Sequence, residues 1–132
     1  MEFKKPDRDY ENMIRICIPV SKTYKVGDLM NSSHTTEYVE DVATNLCLLY
    51  SGNEGECKRY EKLALAGTTY SGDFVEIIGK IIGVNSNELK IQAKAFKIAE
   101  NARIAEHESA VNILEKPVII LDTISIYEIS ER

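Results

Sequence analysis

"EYVEDVATNLCLLYSG", residues 37–52, decides the fold. Val39, Val42, Ala43, Leu46 and Leu49 recur at three- and four-residue steps, which predicts a helix with one buried stripe. Ser51-Gly52 closes the run, so the helix is expected to end near Tyr50. Asp41 and Asn45 stand four apart and therefore stack on one face away from the stripe. That face is either the solvated side of a core helix or an edge that carries chemistry.

What lies around the helix is β. Upstream, "MIRICIPV" (13–20) alternates Ile14, Ile16, Ile18 and Val20 with polar or small neighbours, the pattern of a half-buried strand. "SKTYKVGDLMNSS" (21–33) reads as a loop whose last residues, Asn31, Ser32 and Ser33, are all competent helix caps. Downstream, "SGNEGECK" (51–58) is turn-rich, and "RYEKLALAG" (59–67) and "FVEIIGKII" (74–82) are expected strands. In "TTYSGD", which joins them, Gly72 and Asp73 have turn chemistry, with Asp73 able to cap the loop. "GVNSN" (83–87) has the composition of a hairpin turn, followed by the alternating strand "ELKIQAKAFKI" (88–98). "AENARIAEHESAVNILE" (99–115) stays open between a loop and a short helix with a strand entry, and "KPVIILDTISIYEI" (116–129) is a long β-branched strand.

One strand, one long helix and about four more strands imply a sheet that covers the helix, since each must bury its apolar face on the other. The order resembles the α+β hotdog fold, an antiparallel sheet wrapped around one central helix. It predicts a single hotdog domain over residues 1–132, with the charged segment 1–12 as a flexible tail. A protomer of that kind leaves a sheet edge open, so a homodimer or a larger dimer-based homo-oligomer is expected.

Composition narrows the function class. Apolar residues make up 44% and charged residues 28%, as in ordinary globular proteins, and the net charge of −5 argues against a nucleic-acid surface. The longest apolar runs, such as "PVIIL" (117–121), are far short of the ~20 residues that cross a membrane. The first twelve residues have no hydrophobic core region, so no secretory signal is read there. Cys17, Cys47 and Cys57 are odd in number and contain no CxxC pair, which fits a reducing cytoplasm and argues against a disulfide framework or a zinc site. His34 and His107 are isolated and make no metal centre.

"TYKVGDLMNSS", "EDVATNLCLLYSG", "YEKLALAGTTYSGDFVEIIGKIIGVNSNELKIQAKAFKI" and "EKPVIILDTISIY" together resemble, in order and spacing, the β-amino-acyl-CoA ammonia-lyases. These are hotdog enzymes acting on β-alanyl-CoA or 3-aminobutyryl-CoA in anaerobic amino-acid fermentation, and the match runs from about residue 14 to 127. The resemblance implies an acyl-CoA thioester as ligand, with coenzyme A as part of the substrate and no separate cofactor. It implies donors aimed at the thioester oxygen, which the first N–H groups of a helix can supply, and a carboxylate to move the α-proton. On that basis Asp41, Asn45 and Tyr24 are the expected catalytic residues. Gly27, Asn31, Ser32, Ser33, Tyr60, Lys90 and Lys94 are expected to bind substrate, the two lysines through the coenzyme A phosphates.

The chain also departs from that family. Thr23 stands where the family has a His, Ser32 where it has a Gly, and Asn45 and Ala64 where it has glutamates. An amide cannot take a proton as a carboxylate does, and alanine carries no polar group. Two further readings therefore accompany the lyase. One is an acyl-CoA thioesterase, for which a single carboxylate suffices. The other is a non-catalytic relative that binds acyl-CoA or a partner subunit.

Overall fold

The computed structural model describes residues 2–17, 32–70, 72–101 and 111–130. Strand β1 spans Glu11–Cys17, helix α1 Ser32–Ser51, β2 Glu56–Leu65, β3 Phe74–Val84, β4 Glu88–Asn101 and β5 Val111–Glu128. The five strands form one antiparallel sheet in the order β1-β3-β4-β5-β2. Helix α1 lies on one face of it, against β3, β4 and β1. This is the α+β hotdog arrangement expected from the element order.

Alternation within the strands fixes which face the helix covers. Val75, Ile77 and Ile81 of β3 and Leu89, Ile91, Ala93 and Ala95 of β4 are buried, and they pack with Val39, Val42, Ala43, Leu46 and Cys47 of α1. The inner face of β5 is partly polar without loss, because the buried Thr123 hydroxyl donates to the Ala93 carbonyl at 2.9 Å.

The helix comes closest to the sheet at Gly79. A Cβ built there would stand 2.6 Å from Val42 Cγ1 and 3.2 Å from Leu46 Cδ1, so the helix uses the space a side chain would take. Ser51 and Gly52 end α1 as the sequence predicts. The Ser51 hydroxyl donates to the Cys47 carbonyl at 2.8 Å, and the Gly52 N–H to the Leu48 carbonyl at 2.9 Å.

The turns follow their sequence chemistry. In "VNSNE" the Asn85 side-chain oxygen accepts from the N–H groups of Asn87 and Glu88, at 3.1 and 2.8 Å. Before β3, the Asp73 N–H donates to the Tyr70 carbonyl at 3.0 Å, and Gly72 takes φ 89°, a value that glycine adopts without strain. The fully buried Asp73 carboxylate accepts from the Tyr70 N–H at 2.9 Å and lies 3.3 Å from Lys97 Nζ on β4. So Asp73 caps the loop as read from the sequence, and the ammonium of Lys97 offsets its buried charge.

Two segments pair with the sheet beyond what the sequence pattern assigned. The segment before β1, read from its charge as a flexible tail, is tied to β3. Lys4 and Val84 exchange backbone hydrogen bonds of 2.8 and 2.7 Å, and the Tyr10 ring meets Tyr50 edge-on at 5.2 Å. The end of β3 offers unpaired backbone groups, and pairing them outweighs the polarity of the segment. The open stretch 99–115 contributes the end of β4 and the start of β5, where Ala99, Glu100 and Asn101 pair with Ile113, Asn112 and Val111. Its turn falls outside the described residues. Among the described residues no helix is long and apolar enough to cross a membrane.

Gly79→Ala should destabilise the fold by about 1–3 kcal/mol, the usual cost of an overpacked core. In a Val42→Ala background the same change should cost clearly less, read from chemical-denaturation midpoints in a double-mutant cycle. Costs that simply add would remove Gly79 as the contact that sets the helix height.

Candidate active site

Each helical residue advances ~100° around the axis, so relative to the buried Val39 the Asp41 side chain stands ~200° away. Asp41 and Asn45 are accordingly exposed, on the surface of α1 turned from the sheet. Glu40 is only ~100° from Val39 and lies at the shoulder of the helix. There its Oε1 accepts a hydrogen bond of 3.3 Å from the Tyr60 hydroxyl of β2.

The register explains how Tyr60 reaches that carboxylate. Cys57, Tyr60, Leu63 and Leu65 pair with Tyr127, Ser125, Thr123 and Leu121 of β5, all buried on the face that carries the helix. Two register shifts, between Cys57 and Arg59 and between Tyr60 and Lys62, bring these residues to one face despite their three-residue spacing. β2 is an edge strand and lies outside the main footprint of α1. Leu63 and Leu65 therefore remain 55% and 59% exposed although they sit on the inner face. The helix shoulder and the edge strand meet at the exposed Glu40–Tyr60 pair, and the open strip beside it, with Leu63 and Leu65 on the inner sheet face, is called the α1–β2 trough below.

Electrostatics in the trough favour un-ionised donors beside one carboxylate. Burial, and then the nearby Glu40, push the Tyr60 phenol above its ordinary value of 10.0. Burial does the same to Tyr127, aided by Cys57, Tyr60 and Glu40. The Cys57 thiol is raised above 9.0 by burial, partly offset by a hydrogen bond with Tyr127, and burial takes Cys47 to about 12. Neither thiol is an activated nucleophile. What the pair offers is a carboxylate beside a phenol that keeps its proton as a hydrogen-bond donor.

The expected site residues are spread more widely than their sequence grouping implies. Tyr24, Gly27 and Asn31 lie outside the described residues, as does Thr23. Ser32 and Ser33 form the first turn of α1. Tyr60 belongs to the trough. Lys90 and Lys94 are on the opposite face of the sheet, and Lys90 is committed to Glu61 at 2.9 Å and to the Phe3 ring at 4.6 Å. They do not share a surface with Tyr60. Ala64 pairs with Asp122 and faces the same outer side, away from the trough. Glu40, an exposed residue, is not among the site residues expected from the sequence; its place beside the stripe, three residues before Ala43 and seven before Cys47, was the available signal.

No protein-family model matches the chain. In sequence it is similar to the 3-aminobutyryl-CoA ammonia lyase of Acetoanaerobium sticklandii, 24% identical over 110 residues that cover 83% of this chain and 86% of that one. Its backbone resembles β-alanyl-CoA:ammonia lyase from Clostridium propionicum, with a TM-score of 0.82, 20% identity, and coverage of 92% and 85% of the two chains. It also resembles a hexameric thioesterase from Yersinia pestis, with a TM-score of 0.66, 9% identity, and coverage of 89% and 85%. The backbone likenesses establish the hotdog fold, and the sequence likeness is to the ammonia lyases that the motifs resemble.

Both raised phenols carry a sign. A tyrosine that ionises later folded than unfolded contributes fully below pH 10.0 and loses that contribution as pH rises beyond it. The denaturation midpoint should fall above about pH 10, and Tyr60→Phe should make the fall shallower. An equal slope in wild type and variant would show that Tyr60 is not held neutral by the fold.

Proposed function

We propose that this hotdog protein is a β-amino-acyl-CoA ammonia lyase whose thioester lies in the trough between α1 and β2. The observation that carries the assignment of roles is the Glu40–Tyr60 hydrogen bond across that trough, 3.3 Å long. The sequence likeness to a 3-aminobutyryl-CoA ammonia lyase supports the reaction class.

In the elimination direction Glu40 takes the α-proton, charge develops on the thioester oxygen, and the β C–N bond breaks to release ammonia and leave the enoyl-CoA. Addition runs the same steps in reverse. Stabilisation of the oxygen has two possible sources on this chain, the start of α1 and the Tyr60 hydroxyl. Ser32 and Glu40 are eight residues apart, ~12 Å along the axis, too far for both to serve one thioester group from the same chain. Tyr60 is therefore the donor assigned to the oxygen, turning to it from Glu40 when substrate enters.

The departures from the family pattern then cease to be an obstacle. Asn45 is on the outer helix surface and Ala64 on the outer sheet face, so neither change removes a carboxylate from the trough. Asp41, the carboxylate singled out from the sequence, points away from it.

A second copy of the chain fits the exposed edge of β2, covering Leu63 and Leu65 and closing the trough. The chemistry asks for no cofactor beyond the coenzyme A of the substrate, and an enzyme of this kind works where acyl-CoA is found, in the cytoplasm. The thioesterase reading rests on the same carboxylate, with Glu40 activating water.

Purified protein mixed with crotonyl-CoA and ammonium should lose the enoyl-thioester absorbance without releasing thiol. Glu40→Gln should lower the rate by about 10²–10⁴ and Tyr60→Phe by about 10²–10³, with Asp41→Asn near wild type. Thiol release would replace the lyase by a thioesterase. An active Glu40→Gln together with a dead Asp41→Asn would move the site to the outer helix surface.

A further inference from the structure

The strand that carries Tyr60 is irregular, and side chains on the outer face of the sheet hold its irregularities in place. Lys58 and Glu61 stand outside the β2–β5 register, each as the extra residue of a bulge, one between Cys57 and Arg59 and one between Tyr60 and Lys62. A bulge re-aims the side chain next to it, and its extra residue is left out of the ladder. Both extra residues are held by their side chains instead. Lys58 Nζ lies 3.6 Å from Glu128 Oε2 on β5, and Glu61 Oε1 lies 2.9 Å from Lys90 Nζ on β4. The second contact reaches across β5, over the about 9–10 Å that separate β4 from β2. Arg59, between the two bulges, crosses the same strand to Glu88 at 3.8 Å. Ile126, which pairs with Lys90 on one side and Arg59 on the other, is fully buried although α1 lies on the opposite face.

Lys90 is fixed from its other side as well. Its ammonium stands 4.6 Å from the centroid of the Phe3 ring. Phe3 has room there because residue 83 is glycine, where a Cβ would stand 2.9 Å from the Phe3 Cβ. The backbone pairing of Lys4 with Val84 keeps that segment on β3. Contacts therefore run without a break from Phe3 through Lys90 and Glu61 to the bulge beside Tyr60. Exposed ion pairs add little to stability, so the use of this one is geometric. Without the extra residue at Glu61, strict alternation would turn either Tyr60 or Leu63 to the helix side, but not both.

We infer that Lys90 and Glu61 are positioning residues of the candidate active site: from the outer face they fix the bulge that points the Tyr60 hydroxyl at Glu40, on the catalytic reading of Tyr60 given above. A lysine that gripped the coenzyme A phosphates would act on substrate affinity; a lysine that positions Tyr60 acts on turnover.

The test compares wild type with Glu61→Gln, Lys90→Met, the charge-exchanged double variant Glu61→Lys/Lys90→Glu, and Arg15→Gln, which breaks an ion pair at the far edge strand. Crotonyl-CoA and ammonium give kcat and KM. Isotope-labelled tyrosine reports the Tyr60 ring by NMR, its signal identified by its loss in Tyr60→Phe. Both single variants should stay folded by circular dichroism, move the Tyr60 signal, and lower kcat about 10–100-fold at nearly unchanged KM. The exchanged variant should recover most of the signal position and most of kcat, and Arg15→Gln should match wild type. A Tyr60 signal unmoved in both single variants would overturn the inference. So would a raised KM at unchanged kcat, or a loss that the exchange does not recover. A Tyr60 signal that moves and returns in a protein without lyase turnover would keep the positioning and remove the reaction proposed above.

Discussion

The missing side chain at Gly79 governs how α1 sits on the sheet, and most of the architecture depends on that contact. With Val42 Cγ1 only 2.6 Å from where a Cβ would be, the helix is lowered onto β3 and β4. Its stripe reaches across to the inner residues of both strands, which are the centre of the core. A helix placed there covers β1, β3 and β4 and leaves the β2 edge uncovered. The trough is thus a consequence of packing: one helix of ordinary width cannot shield five strands.

That geometry assigns chemistry by position around the helix. A carboxylate one step from the buried stripe meets the edge strand, while a carboxylate two steps away meets solvent. Glu40 and Asp41 are neighbours in sequence, yet ~100° of rotation separates a group hydrogen-bonded to Tyr60 from an exposed group with no strand beside it among the described residues. The strand irregularities matter equally, since without the shifts around Arg59 and Lys62 Tyr60 would not share a face with Cys57 and Leu63.

The fold was largely legible because its signals are local. The stripe from Val39 to Leu46, the alternation of β3 and β4, and the Asn85 and Asp73 turn chemistry all act over a few residues. The strand ends and the N-terminal segment were less legible. Pairing of Lys4 with Val84 and of Ala99 with Ile113 depends on partners far along the chain, which periodicity does not contain. Of the expected site residues, Tyr60 lies on the inner sheet face beside α1, and Lys90 and Lys94 lie on the outer face. The alternation of β4 did separate Lys90 and Lys94 from Leu89 and Ile91, but which of those faces carries the helix follows from tertiary packing. Glu40 was hidden for a different reason: beside a stripe, a contact with another element and plain solvation look alike in sequence.

The most direct test of the central claim is a crystal structure with a non-hydrolysable butyryl-CoA analogue bound to the wild-type protein. The account predicts the carbonyl at the thioester position within hydrogen-bond distance of the Tyr60 hydroxyl and the α-carbon beside the Glu40 carboxylate, in the trough along β2. A carbonyl lodged against the outer surface of α1 at Asp41, or on the sheet face of Lys90 and Lys94, would contradict it.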